Sequence, residues 1–150
     1  MGITYKIAES TDLEILLKLI KEFCEADNHP FEESSIRVAL TNLLQDKSLG
    51  RVWLIQQAKQ TIGYIVLTFG YSLEYRGRDA FVDELYIRES YRRQGIGTKS
   101  LQFIESVCPE LKIQVLHLEV EKENMAAQGL YRKIGFKNQE RYLMTKWTNI

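Results

Sequence analysis

The stretch YIRESYRRQGIGTKSL (86–101) holds the residue types best suited to cradling an anion. An apolar strand ends, a short connection follows, and a helix begins at the glycine pair Gly95 and Gly97. The first turn of a helix leaves backbone N–H groups without intrahelical partners and carries the positive end of the helix dipole. Glycine lets backbone approach a ligand with no Cβ in the way. Arg92, Arg93 and Lys99 add positive charge. The backbone of Arg92, Arg93, Gln94, Gly95, Ile96, Gly97 and Thr98 is therefore suited to phosphate or pyrophosphate. It is not a Walker A loop, because Thr98 separates Gly97 from Lys99. Nor is it a GxGxxG dinucleotide loop, because Ser100 stands where the last glycine belongs. A lone Gly-x-Gly is also compatible with a glycine-started helix that binds nothing.

Other chemistry-bearing residues lie on either side. Asp83 and Glu84 are adjacent carboxylates in the apolar run AFVDELYI (80–87). Strand alternation sends them to opposite faces. A carboxylate buried without a partner is costly, so at least one is expected to line a polar slot rather than the core; a surface salt bridge is the alternative. Tyr131 offers a phenol that is protonated at neutral pH. It shares a helical face with Ala127, Leu130 and Ile134, so packing alone would also account for it. Asn124 is placed to cap the same helix.

The elements that must position these groups can be read from periodicity. Residues 3–8 form a short strand. Ser10 or Thr11 caps a helix starting at Asp12, whose Leu13, Leu16, Leu17, Ile20 and Phe23 share one face. A second helix starts near Ser34. RVWLIQQ (51–57) and TIGYIVLTFG (61–70) are strands joined by a tight turn. YSLEYRGRD (71–79) reads as a loop, 80–87 as a strand, 95–107 as a helix and 113–121 as a strand. A helix over 124–134 follows, ended by Gly135. The last strands are expected within 136–147. The order predicts one α/β (α+β) domain over residues 1–150, a mixed central sheet flanked by helices.

Composition narrows the function. The 150 residues carry 20 Lys+Arg and 20 Asp+Glu, so the net charge is zero. The basic excess usual in nucleic-acid binders is missing. No apolar run reaches the roughly 20 residues that span a bilayer, and MGITYKIAES lacks a signal-peptide core. Cys24 and Cys108 read as reduced thiols, and two cysteines with His29 and His117, scattered along the chain, do not make a zinc site. The expected compartment is the cytoplasm, with no nucleic-acid, membrane or metal partner.

RRQGIG (92–97) matches the [Q/R]-x-x-G-x-[G/A] signature of the GNAT superfamily of N-acetyltransferases. VDELYI (82–87) resembles that family's fourth strand, and NMAAQGLYRKIGF (124–136) is similar to its N-x-x-A…Y-x-x-x-G-F element. The three pieces stand in the family's order, within the C-terminal half. The resemblance implies a mostly antiparallel GNAT-like sheet and acetyl-CoA as co-substrate, with its pyrophosphate on Arg92 to Thr98. It implies that backbone amides of Leu85, Tyr86 and Ile87 meet the thioester, that Tyr131 is the acid for the departing thiolate, and that Asn124 contacts the coenzyme. VDELYI is also similar to the corresponding strand of spermidine/spermine N-acetyltransferases. There Asp83 matches the glutamate that helps deprotonate the amine, and Glu84 the carboxylate beside it.

The implied reaction is acetyl transfer to a primary amine. Glu25, Asp27, Glu32, Glu33 and Glu74, with Phe31, Tyr71 and Tyr75, would suit a polyamine or other small cationic amine. A protein lysine or N-terminal amine, and a non-catalytic acyl-CoA-binding module, are the alternatives. A homodimer using Tyr142, Leu143 and Trp147 is an option, as is their burial in the core.

Overall fold

The computed structural model describes residues 2–149. The chain divides into two compact units, split after Glu119. The first holds a five-stranded sheet in the order β1 (Ile3–Ile7), β2 (Gly50–Gln57), β3 (Gln60–Ser72), β4 (Gly77–Ile87), β5 (Ile113–His117). Neighbouring strands are antiparallel except β4 and β5, which run parallel. This is the mixed sheet flanked by helices that the element order predicts, with the mostly antiparallel pairing that the family resemblance implies.

Period-2 alternation gives the sheet two buried faces. Val52, Leu54, Tyr64, Val66 and Tyr86 pack with Leu16, Leu17, Leu19 and Ile20 of α1 (Leu13–Ala26) and with Leu40 of α2 (Glu33–Gln45). On the other face Trp53 meets the ring of Phe103 of α3 (Ile96–Val107) edge-on, at 5.5 Å between centroids. Tyr5 stacks on the same ring at 4.2 Å, and its hydroxyl bonds Ser100 Oγ, the buried polar residue of α3, at 3.0 Å. The middle of α3 is thus held against β1 and β2.

Several sequence expectations need correction. Neither Ser10 nor Thr11 caps α1. They belong to a 3-10 turn that precedes it, in which the Asp12 carboxylate accepts the Glu9 N–H at 2.9 Å and a Lys6 Nζ–H at 2.8 Å. Most of 71–79 is strand: β3 runs to Ser72, β4 starts at Gly77, and only Leu73–Arg76 turn. β5 stops at His117, four residues short of expectation. The reading of Cys24 and Cys108 as reduced thiols needs no correction, since both are free.

The second unit holds α4 (Met125–Lys133), with Asn124 as its cap. No strand forms in 136–147. Tyr142, Leu143 and Trp147 are all exposed, so this segment has neither a ladder nor a buried face to hold it extended. No helix among the described residues is long and apolar enough to cross a membrane.

Candidate functional site

The site begins where β4 loses a neighbour. Pairing with β5 stops at Phe81 opposite His117, so from Val82 to Ile87 β4 is laddered only to β3. The Arg88 N–H donates to the Ile62 carbonyl on the β3 side at 2.8 Å, while the Ile87 carbonyl accepts Arg92 Nε–H at 2.8 Å on the other side. A strand residue's N–H and C=O point to one edge, and successive residues alternate. The amides of Leu85 and Ile87 therefore face the open edge, and that of Tyr86 faces β3.

The open edge leads into the glycine loop. A 3-10 turn over Glu89–Tyr91 brings the chain to Arg92. Arg93 takes φ +63°, an uncommon conformation for a side chain that large, and Gly95 takes φ +76° as the cap of α3. The Lys99 N–H returns to the Gly95 carbonyl at 3.1 Å, which leaves the amides of Ile96, Gly97 and Thr98 as the unpaired first turn. A Cβ on Gly97 would meet nothing nearer than Ile87 Cδ1 at 3.9 Å, and one on Gly95 nothing within 4 Å. The fold therefore has no steric need for glycine at 97, and a ligand lying close to the backbone would supply one. Arg92's guanidinium lies over the Tyr86 ring at 5.6 Å, and with its bond to Ile87 it anchors the loop to the strand.

The paired carboxylates depart from simple alternation. The register shifts so that Val66 faces Glu84 but Leu67 faces Val82, leaving Asp83 as the extra residue of a bulge. The opposite-face expectation for Asp83 and Glu84 therefore does not apply. The bulge instead separates Val82 from Glu84, which joins Tyr64, Val66 and Tyr86 on the face under α1. The fully buried Tyr64 hydroxyl donates to Glu84 Oε1 at 2.7 Å. Burial raises the Glu84 carboxyl above the usual range; the Tyr64 bond opposes this and Asp83's charge adds to it. Asp83 is exposed, and partial desolvation raises its carboxyl as well. Beside them Phe23 sits 6.5 Å from Tyr64 and 5.5 Å from Tyr86. Arg88 grips both oxygens of Glu22 at 3.1 and 3.0 Å, and the Tyr86 hydroxyl donates to Glu22 at 3.2 Å, tying α1 to the end of β4.

Asn124 and Tyr131 belong to the second unit. Asn124 Oδ1 accepts the Ala127 N–H at 3.1 Å, so its side chain caps α4. Tyr131 is half-buried, 6.2 Å from the Phe136 ring, and burial raises its phenol. Of the acidic residues expected to attract a cation, Asp27 pairs with His29 at 3.0 Å, Glu33 with Arg37 at 3.3 Å, and Glu32 accepts the Ser34 hydroxyl at 2.8 Å. These are bonds on solvated helix ends. Sequence reasoning missed Glu22 and Tyr64, whose polar atoms meet β4 groups only through the fold. It also missed Asp79, placed in a loop, and gave His117 no role.

The profile of the Acetyltransferase (GNAT) family matches residues 16–136. The chain belongs to that family. Over 79 residues it is 32% identical to thialysine N-epsilon-acetyltransferase of Bos taurus, covering 53% of this chain and 46% of that protein. The chain thus spans about half the length of the curated relatives it matches. An integron cassette protein from the mobile metagenome of Cole Harbour Salt Marsh shares the fold with a TM-score of 0.85 and 31% identity, over 95% of this chain and 89% of that one. A predicted acetyltransferase of Clostridium acetobutylicum, solved with acetyl-CoA, gives a TM-score of 0.80 at 20% identity, over 97% and 96%. This GNAT chain has the family's architecture, and the family match runs across both of its units.

Proposed function

We propose that this GNAT protein transfers an acetyl group from acetyl-CoA to a primary amine. The observation that carries the reading is the continuity of two donor sets: the open-edge amides of Leu85 and Ile87, and the unpaired amides at the start of α3. The first set suits a carbonyl oxygen and the second a pyrophosphate. Glycine at 97, which the fold itself does not require, fits a pyrophosphate against the backbone.

Acetyl-CoA supplies an activated thioester; the chain's residues supply binding and proton handling. Arg92 to Thr98 hold the phosphates through backbone N–H groups. Leu85 and Ile87 donate to the carbonyl oxygen as charge develops on it, with Tyr86 holding the strand between them. Asp83 and Glu84 receive the acceptor's ammonium and prepare it for attack, and their raised carboxyls bring their proton affinity closer to that task. Tyr131, kept protonated by burial, gives its proton to the departing sulfur, and Asn124 sets the start of its helix.

The acceptor class we favour is a small cationic amine, supported by two raised carboxylates beside the open edge and by the name of the thialysine relative. The test is thiol release from acetyl-CoA with a panel of mono- and diamines, set beside lysine-containing peptides. Release with small amines is expected. Release with peptides alone would move the acceptor to protein, and release with neither would leave a binding module.

A further inference from the structure

The end of β4 carries the Ile87 amide but has little to hold it in aim. Beyond Phe81 it has no neighbour on the β5 side, and its last rung pairs Ile87 with Gly63, which has no side chain to brace it. A strand end laddered on one edge opens more easily than one laddered on both. Ile87 also serves twice. Its N–H faces the open edge, and its carbonyl accepts Arg92 Nε–H at 2.8 Å, which anchors the glycine loop.

Both chain neighbours of Ile87 are held by one carboxylate on α1. Arg88 donates to the two oxygens of Glu22 through Nε–H at 3.1 Å and Nη2–H at 3.0 Å, and its Nη1–H reaches the Thr61 carbonyl of β3 at 3.3 Å. One guanidinium thus clamps the end of β4 between α1 and β3. On the other side of Ile87, the Tyr86 hydroxyl donates to Glu22 Oε1 at 3.2 Å. The Tyr86 ring in turn lies 5.6 Å from the guanidinium of Arg92, the residue that holds the Ile87 carbonyl. The Arg88 and Glu22 side chains are 28% and 30% exposed. A pair this accessible contributes little to stability, so what it fixes is chiefly geometry.

We infer that Glu22 is a positioning residue for acetyl transfer, holding Arg88 and Tyr86 so that the Ile87 amide stays aimed at the thioester oxygen. The inference rests on the transfer reading above. A bidentate arginine–carboxylate pair fixes direction as well as distance, because both partners are planar forks. Glutamine at 22 keeps the length and one acceptor oxygen but sets an NH2 against a guanidinium N–H, so the fork opens. The end of β4 is then free to turn about its single ladder, and the amide leaves its line.

The experiment loads the parent, Glu22→Gln, Arg88→Gln and the double variant with acetyl-CoA isotope-labelled in its acetyl carbonyl. Difference infrared spectroscopy then reads the carbonyl stretch, which requires no acceptor amine. The parent should lower the stretch relative to free acetyl-CoA, and each single variant should lose at least half of that shift. The double variant should lose no more than the larger single loss, because the two residues act as one unit. With the best amine of the panel, kcat should fall by about tenfold or more, toward the roughly 10²-fold cost of a reacting group misplaced by about 1 Å, while acetyl-CoA affinity changes little. Arg37→Gln is the control: it breaks the Glu14 ion pair between α1 and α2 and should keep the parent's shift whatever it does to the melting temperature. A parent-like shift in folded Glu22→Gln and Arg88→Gln overturns the positioning role and leaves the transfer reading standing. If Glu22→Gln does not fold, Arg88→Gln alone decides. An unshifted stretch in the parent instead removes the amide reading itself, and the role of Glu22 with it.

Discussion

Replacing Gly97 by Asp should separate the stability of the protein from its hold on acetyl-CoA, with opposite signs. The new Cβ has only Ile87 Cδ1 nearby, at 3.9 Å, so no backbone must move. A carboxylate in the first turn of α3 favours the helix dipole by about 0.3–1 kcal/mol, and losing a helical glycine adds roughly 0.5–1 kcal/mol. Without ligand the variant should therefore melt no lower than the parent. Against a bound phosphate about 4 Å away, the carboxylate costs ~1 kcal/mol at the dielectric of water and ~4 kcal/mol at that of a protein surface. Ile96 is buried and Gly97 and Thr98 are half-buried, so the cradle lies between these limits. At 1.4 kcal/mol per decade, affinity should fall by about tenfold or more. Calorimetric titration of acetyl-CoA into parent, Gly97→Ala and Gly97→Asp, each with its own melting curve, measures both effects. The alanine variant isolates crowding and should lose less affinity than the aspartate. An unchanged acetyl-CoA affinity in a folded Gly97→Asp protein would refute the placement of the pyrophosphate.

Tyr131→Phe keeps the ring beside Phe136 but removes the hydroxyl; turnover should drop by roughly 10²–10⁴-fold, with little change in acetyl-CoA affinity, if the phenol protonates the leaving sulfur. Near-normal turnover at saturating substrates would return Tyr131 to a packing role. Glu84→Gln bears on both rate and stability. Because burial raises the Glu84 carboxyl in the folded protein, the stability it contributes is complete below the unfolded glutamate pKa and is lost as pH rises through the folded one. Glutamine cannot ionise, so the variant's melting temperature relative to the parent should be higher at pH 7 than near pH 4. Its turnover should fall while acetyl-CoA binding persists. Ala58 and Lys59 make the β2–β3 turn at φ +51° and +67°. Lys59→Gly relieves a left-handed side chain and should stabilise the protein by about 0.5–1 kcal/mol, read as a rise of roughly 1–4 °C in melting temperature.

Parts of this protein were legible because local chemistry and tertiary need coincide. The glycine pair and the change of period near residue 95 mark the start of α3, where the structure leaves the amides of Ile96, Gly97 and Thr98 without helix partners. The Leu13–Phe23 stripe marks α1 because the same spacing that makes a helical face also fills the space beneath it. The first half of β4 was not legible. GRD carries no β-branched residue and no alternation, and it becomes strand only because β3 and β5 flank it on both edges. The early end of β5 was hidden for the opposite reason. LHLEVE alternates well as far as Glu121, yet a strand needs a partner, and β4 stops offering one beyond Phe81. In 136–147 the sequence offers apolar residues without a surface to bury them.

The bulge at Asp83 shows why the facing of a strand is harder to read than the strand itself. VDELYI on its own assigns Val82 and Glu84 to one face and Asp83 to the other. One unpaired residue reverses that parity for everything upstream of Glu84. Without it, a strand that kept Glu84 under α1 would also carry Val82 there and turn Phe81 and Asp79 to the α3 side, away from the carboxylate pair. With it, Val82 and Ala80 can fill the α3 face while Asp79, Phe81 and Glu84 share the α1 face. The residue that interrupts the ladder thus puts these acidic side chains on one face, and it does so beside the point where β5 departs and the amides of Leu85 and Ile87 come free. A pattern of period two cannot encode an interruption of itself. What the sequence does carry is its cost, in two adjacent carboxylates within an otherwise apolar strand, and that irregularity was the signal worth following.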